Sequence, residues 1–116
     1  MTQSVIVIDD DEDTVRLFSE FLEEKKIKVI GKGYDGKTAV ELYKEKKPDC
    51  VLIDMMMPNG SGIYAIKKIK EINSEAKIIA VTGDSRFTTE QKLEKLKIPV
   101  IYKPFNMDEV ISKIQN

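Results

Sequence analysis

Acidic side chains follow two apolar runs of the chain, at the points where the runs end. Residues 5–8 lead into Asp9 and Asp10, and residues 50–53 lead into Asp54. Carboxylates crowded at one place disfavour full ionisation unless a cation offsets their charge. Such hard oxygen ligands, with room for water and phosphate oxygens, suit Mg²⁺, with Mn²⁺ as an alternative. The pattern therefore predicts a divalent metal site.

A hydroxyl and an ammonium group follow two further apolar runs, at Thr82 and Lys103. Beside a bound metal, these groups can share the charge on the oxygens of a phosphoryl group in transfer. The chain contains no histidine, so the commonest general base is absent and we expect a carboxylate nucleophile. Asp54 is the preferred acceptor because it stands alone, whereas Asp9 and Asp10 are adjacent and better suited to holding metal.

Five apolar runs alternate with segments of helical period, which is typical of βα units around a parallel sheet. The predicted strands cover residues 4–8, 28–32, 50–53, 77–81 and 98–102. The second strand carries lysines and the fifth contains Pro99, so we expect these two at the edges. Right-handed crossovers then give an α/β, doubly wound sheet of order 2-1-3-4-5. Ligands bind such sheets at the carboxyl ends of strands one and three, where the acids lie.

The intervening helices are predicted to bury apolar stripes. These stripes are Val15, Phe18, Phe21 and Leu22; Ala39, Leu42 and Tyr43; Ile63, Ile66, Ile69 and Ile72; Leu93 and Leu96; and Met107, Val110, Ile111 and Ile114. Asp35 and Gly36 are expected to start the second helix, and Asn106 with Glu109 to form a capping box on the last. The fourth helix is predicted over residues 88–97.

Composition limits the class of protein. A length of 116 residues suits one domain over residues 1–116, and we expect no output domain. Nineteen basic against 20 acidic residues leave a net charge of -1, which argues against direct nucleic-acid binding. No apolar stretch approaches the roughly 20 residues that span a bilayer, and no leader is evident, so we expect a cytoplasmic protein without membrane contact. Cys50 begins an apolar run and is expected to be a core residue.

Five separated motifs together resemble the receiver domain of two-component response regulators, of the stand-alone, chemotaxis-regulator-like kind with a flavodoxin-like (βα)5 fold. The motifs are Val7-Ile8-Asp9-Asp10-Asp11, Asp35-Gly36, Ile53-Asp54-Met55-Met56-Met57-Pro58 followed by Gly62, Val81-Thr82-Gly83, and Lys103-Pro104-Phe105. The resemblance covers the whole chain.

The resemblance implies that Asp54 is the phosphoacceptor. The donor would be a sensor histidine kinase, a phosphotransfer protein or a small phosphodonor, and the output an unknown downstream protein. Mg²⁺ would be held by Asp9, Asp10, Asp54 and the backbone carbonyl of Met56. Thr82 and Lys103 would bind the phosphoryl group, and a cis peptide would follow Lys103. We expect a monomer, with a phosphorylation-linked dimer as an alternative.

The sequence departs from the family pattern at the switch. An aromatic residue usually lies three positions before the lysine, where this chain has Val100. Tyr102 cannot simply substitute there, and residues 97–99 replace the usual Gly-Ala. We therefore expect output through the fourth helix, fifth strand and fifth helix to occur by repositioning of helices and loops. Met56 and Asp84 would flank the hydrolytic water, and since Met56 cannot orient water, we expect a persistent phosphoryl state.

Two other function classes compete with this reading. A metal-dependent phosphatase or phosphotransferase for small molecules would need a substrate pocket and a general acid or base, and the short loops suggest neither. A non-phosphorylated interaction domain would be expected to lack one of the site residues, and the sequence retains them all. We therefore expect a signalling protein and not an enzyme.

Overall fold

The computed structural model describes residues 3–57, 61–83, 87–103 and 105–116, without the side chains of residues 61 and 87–90. Five strands alternate with five helices: β1 Ser4–Ile8, α1 Glu12–Glu24, β2 Lys28–Gly33, α2 Gly36–Lys46, β3 Cys50–Asp54, α3 Ser61–Ile72, β4 Ile78–Thr82, α4 Phe87–Lys95, β5 Val100–Tyr102 and α5 Met107–Gln115. No helix within these described ranges is long and apolar enough to cross a membrane.

The strands form one parallel sheet of order β2-β1-β3-β4-β5, as predicted, with β2 and β5 at the edges. The register aligns the carboxyl ends of the central strands: Ile8 lies opposite Ile53, and Asp54 lies opposite Val81. Polar residues that follow different strands therefore meet at one edge of the sheet. The predicted topology is confirmed, and so is the place that it assigns to the acids.

The core has two layers because successive strand residues face opposite sides of the sheet. Val5 and Val7 of β1 pack toward α1 and α5, whereas Ile6 and Ile8 pack toward α2, α3 and α4. Cys50 is fully buried in the first layer, and burial raises the pKa of its thiol to about 12. Its predicted role as a core residue is confirmed.

Side-chain caps begin two of the helices where the sequence predicts them. Asp35 precedes α2, and its Oδ1 accepts a hydrogen bond of 2.8 Å from the Thr38 backbone N–H. Asn106 precedes α5 and accepts a bond of 2.9 Å from the Glu109 backbone N–H. Each bond satisfies one of the amide groups that the first helical turn leaves without an intrahelical acceptor.

Two predicted boundaries lie two residues from the observed ones, and the other strand boundaries agree within one residue. β5 begins at Val100 and not at residue 98, because Pro99 has no N–H for the ladder; its carbonyl still accepts from the Ala80 N–H at 2.9 Å. α4 ends at Lys95 instead of residue 97, and Lys97 has a left-handed backbone with φ 57°. That conformation ends the helix and turns the chain toward β5.

Two predicted core residues are also misplaced. Ile72 is 44% exposed because a strict three-residue repeat drifts around a helix of 3.6 residues per turn. Ala65, which does not belong to that repeat, is fully buried in its place. Phe21 of α1 is only half-buried, and the Lys25 ammonium lies 5.7 Å from its ring centre. Leu42, Ile63, Leu96, Met107 and Ile111 are partly buried against the core.

Candidate functional site

The carboxyl ends of β1 and β3 bring the three predicted metal ligands together. Asp9, Asp10 and Asp54 each offer one carboxylate oxygen, and these oxygens lie within 4.8 Å of one another. Asp9 and Asp54 are only 5% exposed, whereas Asp10 is exposed at the rim. Asp9 and Asp54 are called the buried carboxylate pair below. The cluster thus consists of two buried carboxylates and one that is exposed to solvent.

Backbone amides hold one oxygen of each buried carboxylate. The Asp11 N–H donates to Asp9 Oδ1 at 2.9 Å, and the Met56 N–H donates to Asp54 Oδ1 at the same distance. In both cases the chain leaves its strand and turns back over the aspartate, a local bond that Asp side chains readily make. The two carboxylates are therefore oriented by the loops that immediately follow them.

Burial and crowding make the charged form of Asp9 unfavourable. Desolvation, the largest cause, raises its pKa from the ordinary 3.8 to about 7; the Asp11 N–H opposes this shift, and the nearby Asp54 carboxylate adds to it. A cation placed between the acids would relieve this cost. The electrostatics of the buried carboxylate pair thus favour a positively charged ligand.

Lys103 supplies the cation nearest to Asp54 among the described ion pairs. Its Nζ lies 3.7 Å from Asp54 Oδ2, and its side chain is 38% exposed. This distance is longer than a good hydrogen bond, so the ammonium can turn toward another anion. The backbone is held more firmly, because the Lys103 N–H donates to the Thr82 carbonyl at 2.8 Å.

Thr82 is the last residue of β4 and is fully buried. It pairs with Tyr102 across β4 and β5, while Val100 pairs with Ala80. Val100 is half-buried against the layer of α2, α3 and α4, and Tyr102 is 42% exposed. The predicted hydroxyl and switch positions therefore lie on the adjacent strands β4 and β5, and the predicted ammonium belongs to the residue that directly follows β5.

The donor set fits Mg²⁺. Three carboxylates contribute hard oxygen atoms, and the exposed side at Asp10 leaves space for water and for phosphate oxygens, which Mg²⁺ usually retains as ligands. Burial raises the pKa of Asp9, so a bound cation would favour its charged form. The fourth expected ligand, the Met56 carbonyl, stays a prediction.

Met56 lies at the mouth of the site. Its side chain is 55% exposed, and its sulfur lies 3.3 Å from where a Cβ on Gly83 would be. The neighbouring methionines pack inward: Met57 is 5% exposed, and Met55 is partly buried against the core. Asp84 and the peptide between Lys103 and Pro104 fall outside the described residues.

An aromatic pair beneath the acids was not predicted as part of the site. Phe18 of α1 and Phe105 after β5 stack with ring centres 5.6 Å apart and planes at 26°. Phe18 also lines a cavity of about 10 Å³ with both buried carboxylates. Sequence patterns indicated Phe18 as core and Phe105 as a motif residue, but nothing in the spacing pairs them.

Comparison with known proteins agrees with this geometry. The family model described as the response regulator receiver domain matches residues 5–115. The chain belongs to the response regulator receiver family. A chemotaxis protein CheY of Halobacterium salinarum is 36% identical to this receiver domain over 120 residues, which cover 100% of this chain and 97% of that protein.

Solved receiver structures have the same fold. The response regulator domain of Thermotoga maritima CheB is 27% identical, with a TM-score of 0.85 over 99% of this chain and 95% of that one. A CheX-CheY-BeF3-Mg²⁺ complex from Borrelia burgdorferi gives a TM-score of 0.88 at 23% identity, covering 97% and 87% of the two chains, and shows likeness of fold. The family membership predicted from the motifs is confirmed.

Proposed function

We propose that this receiver domain is a phospho-accepting signalling protein in which Asp54 receives a phosphoryl group with the help of Mg²⁺. The observation that carries the proposal is the pairing of Asp54 with both an acidic cluster and Lys103. One set of groups suits a metal, and the ammonium 3.7 Å away suits an additional anion. A phosphoryl group bound to Asp54 would lie between the two.

The Oδ2 atom of Asp54 is the proposed nucleophile, because Oδ1 already accepts the Met56 N–H and Oδ2 faces Lys103. With a histidine kinase or a phosphotransfer protein as donor, the P–N bond breaks as the O–P bond forms, and its electron pair stays on the imidazole nitrogen. The product is an acyl phosphate. A small donor such as acetyl phosphate would react at the same oxygen, with acetate as the leaving group.

The proposed metal ligands are Asp9, Asp10, Asp54 and the Met56 carbonyl. When bound, Mg²⁺ supplies positive charge for the phosphoryl oxygens during transfer. The protein contributes by fixing the acids: the Asp11 and Met56 amides orient the buried carboxylate pair before any ligand arrives. Preorganised groups of this kind lose little freedom during the reaction.

Lys103 and Thr82 are the proposed phosphoryl-binding residues on the other side of Asp54. The ammonium would exchange its loose contact with Asp54 for a charge-assisted bond to a phosphoryl oxygen. Thr82 would contribute its hydroxyl from the adjacent strand. Since Thr82 and Lys103 are joined by a backbone hydrogen bond, a shift of one strand end is passed to the other.

Output is proposed to use the surface formed by α4, β5 and α5, where a downstream protein would bind. Val100 is too small to act as the rotating ring usual in the family, so repositioning of helices and loops would carry the change. Val100→Tyr tests this hypothesis through partner binding with and without phosphorylation. Unchanged dependence on phosphorylation supports it, and a stronger dependence would show that a ring was the missing coupling element.

A long phosphoryl lifetime is proposed from Met56, with Asp84 as a second tuning position. The Met56 thioether lies over Gly83 and cannot act as a general base or orient water strongly. Met56→Asn should shorten the lifetime of the aspartyl phosphate several-fold, measured by mass spectrometry after donor removal. An equal lifetime in Met56→Asn and Met56→Leu would contradict this role.

An enzyme acting on small molecules is not favoured. Among the described residues, the cavity that contacts both members of the buried carboxylate pair measures about 10 Å³, far below the several hundred Å³ of substrate pockets. The chain also belongs to a family of signalling domains. We propose that the phosphoryl group is a signal that the protein carries, and not a substrate group that it turns over repeatedly.

The deciding experiment is incubation with acetyl phosphate, with and without Mg²⁺, followed by intact mass measurement. We expect wild type to gain one phosphoryl group only with Mg²⁺, and Asp54→Ala to gain none. Asp49→Ala is the matched control, because it removes an exposed carboxylate at the start of β3 instead of its end. A wild type that gains no mass, or an Asp54→Ala variant that does, would overturn the proposal.

A further inference from the structure

The segment that carries Lys103 is held on both sides. At Lys103 itself, the backbone N–H donates a hydrogen bond to the Thr82 carbonyl. Two residues later, the Phe105 ring stacks on Phe18 of α1 with a centroid distance of 5.6 Å. The first bond attaches the segment to the sheet, and the stack attaches it to a helix. Both anchors are within two residues of the ammonium that faces Asp54.

The helix that receives this stack also belongs to the acidic side of the site. α1 begins at Glu12, directly after Asp11, whose amide holds Asp9. Phe18 is 9% exposed, and it lines the small cavity behind Asp9 and Asp54. A cavity of about 10 Å³ is at the lower limit for one water molecule. The Phe18 ring therefore lines the cavity next to Asp9 and Asp54 and also stacks on Phe105, two residues after Lys103.

Lysine itself needs such support. Its flexible four-carbon side chain loses conformational freedom when the ammonium is confined, and its contact with Asp54 is loose at 3.7 Å. An aromatic pair at this separation contributes about 0.5–1.5 kcal/mol beyond its buried area. A stacking energy of this size is large enough to restrict the position of the Lys103 backbone, from which the side chain extends toward Asp54.

We propose that Phe18 and Phe105 are positioning residues for phosphoryl binding: their stack fixes the Lys103 segment on α1 and so keeps the ammonium beside Asp54. This inference rests on the proposed phosphoacceptor role of Asp54. It assigns a role to the last residue of the Lys103-Pro104-Phe105 motif that packing alone does not require. It also predicts that the effect of Phe105 is exerted through Lys103.

Beryllofluoride is the probe, because it binds a carboxylate oxygen as a tetrahedral stand-in for a phosphoryl group. Its affinity at saturating Mg²⁺ is read by ¹⁹F NMR, and Mg²⁺ affinity without beryllofluoride is read by calorimetry. We expect Phe105→Leu to weaken beryllofluoride binding about tenfold, the size of one charge-assisted hydrogen bond. Mg²⁺ affinity should change less than about twofold, because the metal ligands do not include Lys103.

A double-mutant cycle separates positioning from simple packing. In a Lys103→Ala background, Phe105→Leu should cause no further loss of beryllofluoride affinity, whereas a general packing defect would persist. Phe105→Tyr should restore binding because it keeps the ring. Phe18→Leu should reproduce Phe105→Leu, and thermal unfolding checks that it remains folded.

Phe21→Leu is the matched control, since it removes the same ring from the same helix outside the stack. It should leave beryllofluoride affinity unchanged. The inference is overturned if Phe105→Leu binds beryllofluoride like wild type, if it loses as much in the Lys103→Ala background, or if Phe21→Leu is equally impaired. Failure of wild type to bind beryllofluoride would instead reject the phosphoacceptor role itself.

Discussion

The polar groups at the two ends of the sheet differ in how they are paired. At the amino end, Asp49 accepts hydrogen bonds from both the backbone N–H and the hydroxyl of Ser4, at 2.8 and 3.1 Å. The Lys70 ammonium donates to the Ala76 carbonyl at 2.8 Å, and Lys77 donates to the Ile114 carbonyl at the end of α5. These groups stabilise the fold by satisfying one another.

At the carboxyl end, two acids are buried side by side. Asp9 has a raised pKa, and the nearest described ammonium is 3.7 Å from Asp54. The same alternation of strand and helix builds both ends, yet among the described residues it is the amino end that satisfies its charged groups through hydrogen bonds within the protein. The difference indicates that the carboxyl end is organised for binding at the expense of stability, and each prediction below tests one side of this comparison.

The largest expected effect is the pH dependence of Mg²⁺ binding. Because Asp9 must lose its proton to bind metal, affinity should rise roughly tenfold per pH unit up to about pH 7 and then level off. Calorimetric titrations at several pH values measure this slope. Asp9→Asn should bind more weakly and lose the slope, and a wild type with constant affinity across this range would contradict the assignment.

The second effect is on stability without metal. A carboxyl group whose pKa is raised on folding penalises the folded state as pH rises from 3.8 to about 7. The free energy of unfolding should therefore fall over this window, by about 4 kcal/mol at most, and Asp9→Asn should remove much of the decline. Urea unfolding at pH 4.5 and 7.5 measures both proteins.

Asp11 and Asp35 affect stability in a lower pH range, so they do not obscure the effect of Asp9. Hydrogen bonds from Thr14 and from the Thr38 N–H lower the pKa of Asp11 and Asp35, respectively. Their stabilisation is present above the ordinary carboxyl pKa and is lost as pH falls below it. Stability that increased steadily from pH 4.5 to 7.5 would show that Asp9 is not destabilising.

At the amino end, removing a carboxylate should have the opposite consequence. Asp49→Ala deletes the acceptor of two hydrogen bonds from Ser4 and should lower the free energy of unfolding by about 1–2 kcal/mol. Asp49→Asn keeps one acceptor oxygen and should lose less. Phosphorylation from acetyl phosphate should be normal in both, and a slower reaction would mean that the two ends are coupled.

The smallest effect concerns the left-handed residue that ends α2. Lys47 has φ 47°, a conformation that costs little only for glycine. Lys47→Gly should raise the free energy of unfolding by about 0.5–1 kcal/mol. Lys46→Gly, one residue earlier and within α2, should lower it by about 1 kcal/mol. If both variants shift stability in the same direction, the backbone explanation is wrong.

Most of the architecture follows from local pattern. Unbroken apolar runs identified β1, β3 and β4 within one residue at each end, and the caps at Asp35 and Asn106 were read from two or three neighbouring residues. Pro99 correctly indicated an edge strand, although the predicted strand began too early. Of the two misplaced stripe residues, Phe21 and Ile72, the error at Ile72 arose because its three-residue spacing departs from the period of a helix.

By itself, the sequence determined which residues end the strands and therefore that Asp9, Asp10, Asp54, Thr82 and Lys103 share one edge of the sheet. This followed because strand order and alternation depend on short-range periodicity. Only the tertiary structure decided how deeply Asp9 is buried, how far Lys103 is from Asp54, and that Phe18 meets Phe105. These features depend on contacts between residues far apart in the chain, where packing and desolvation set the geometry.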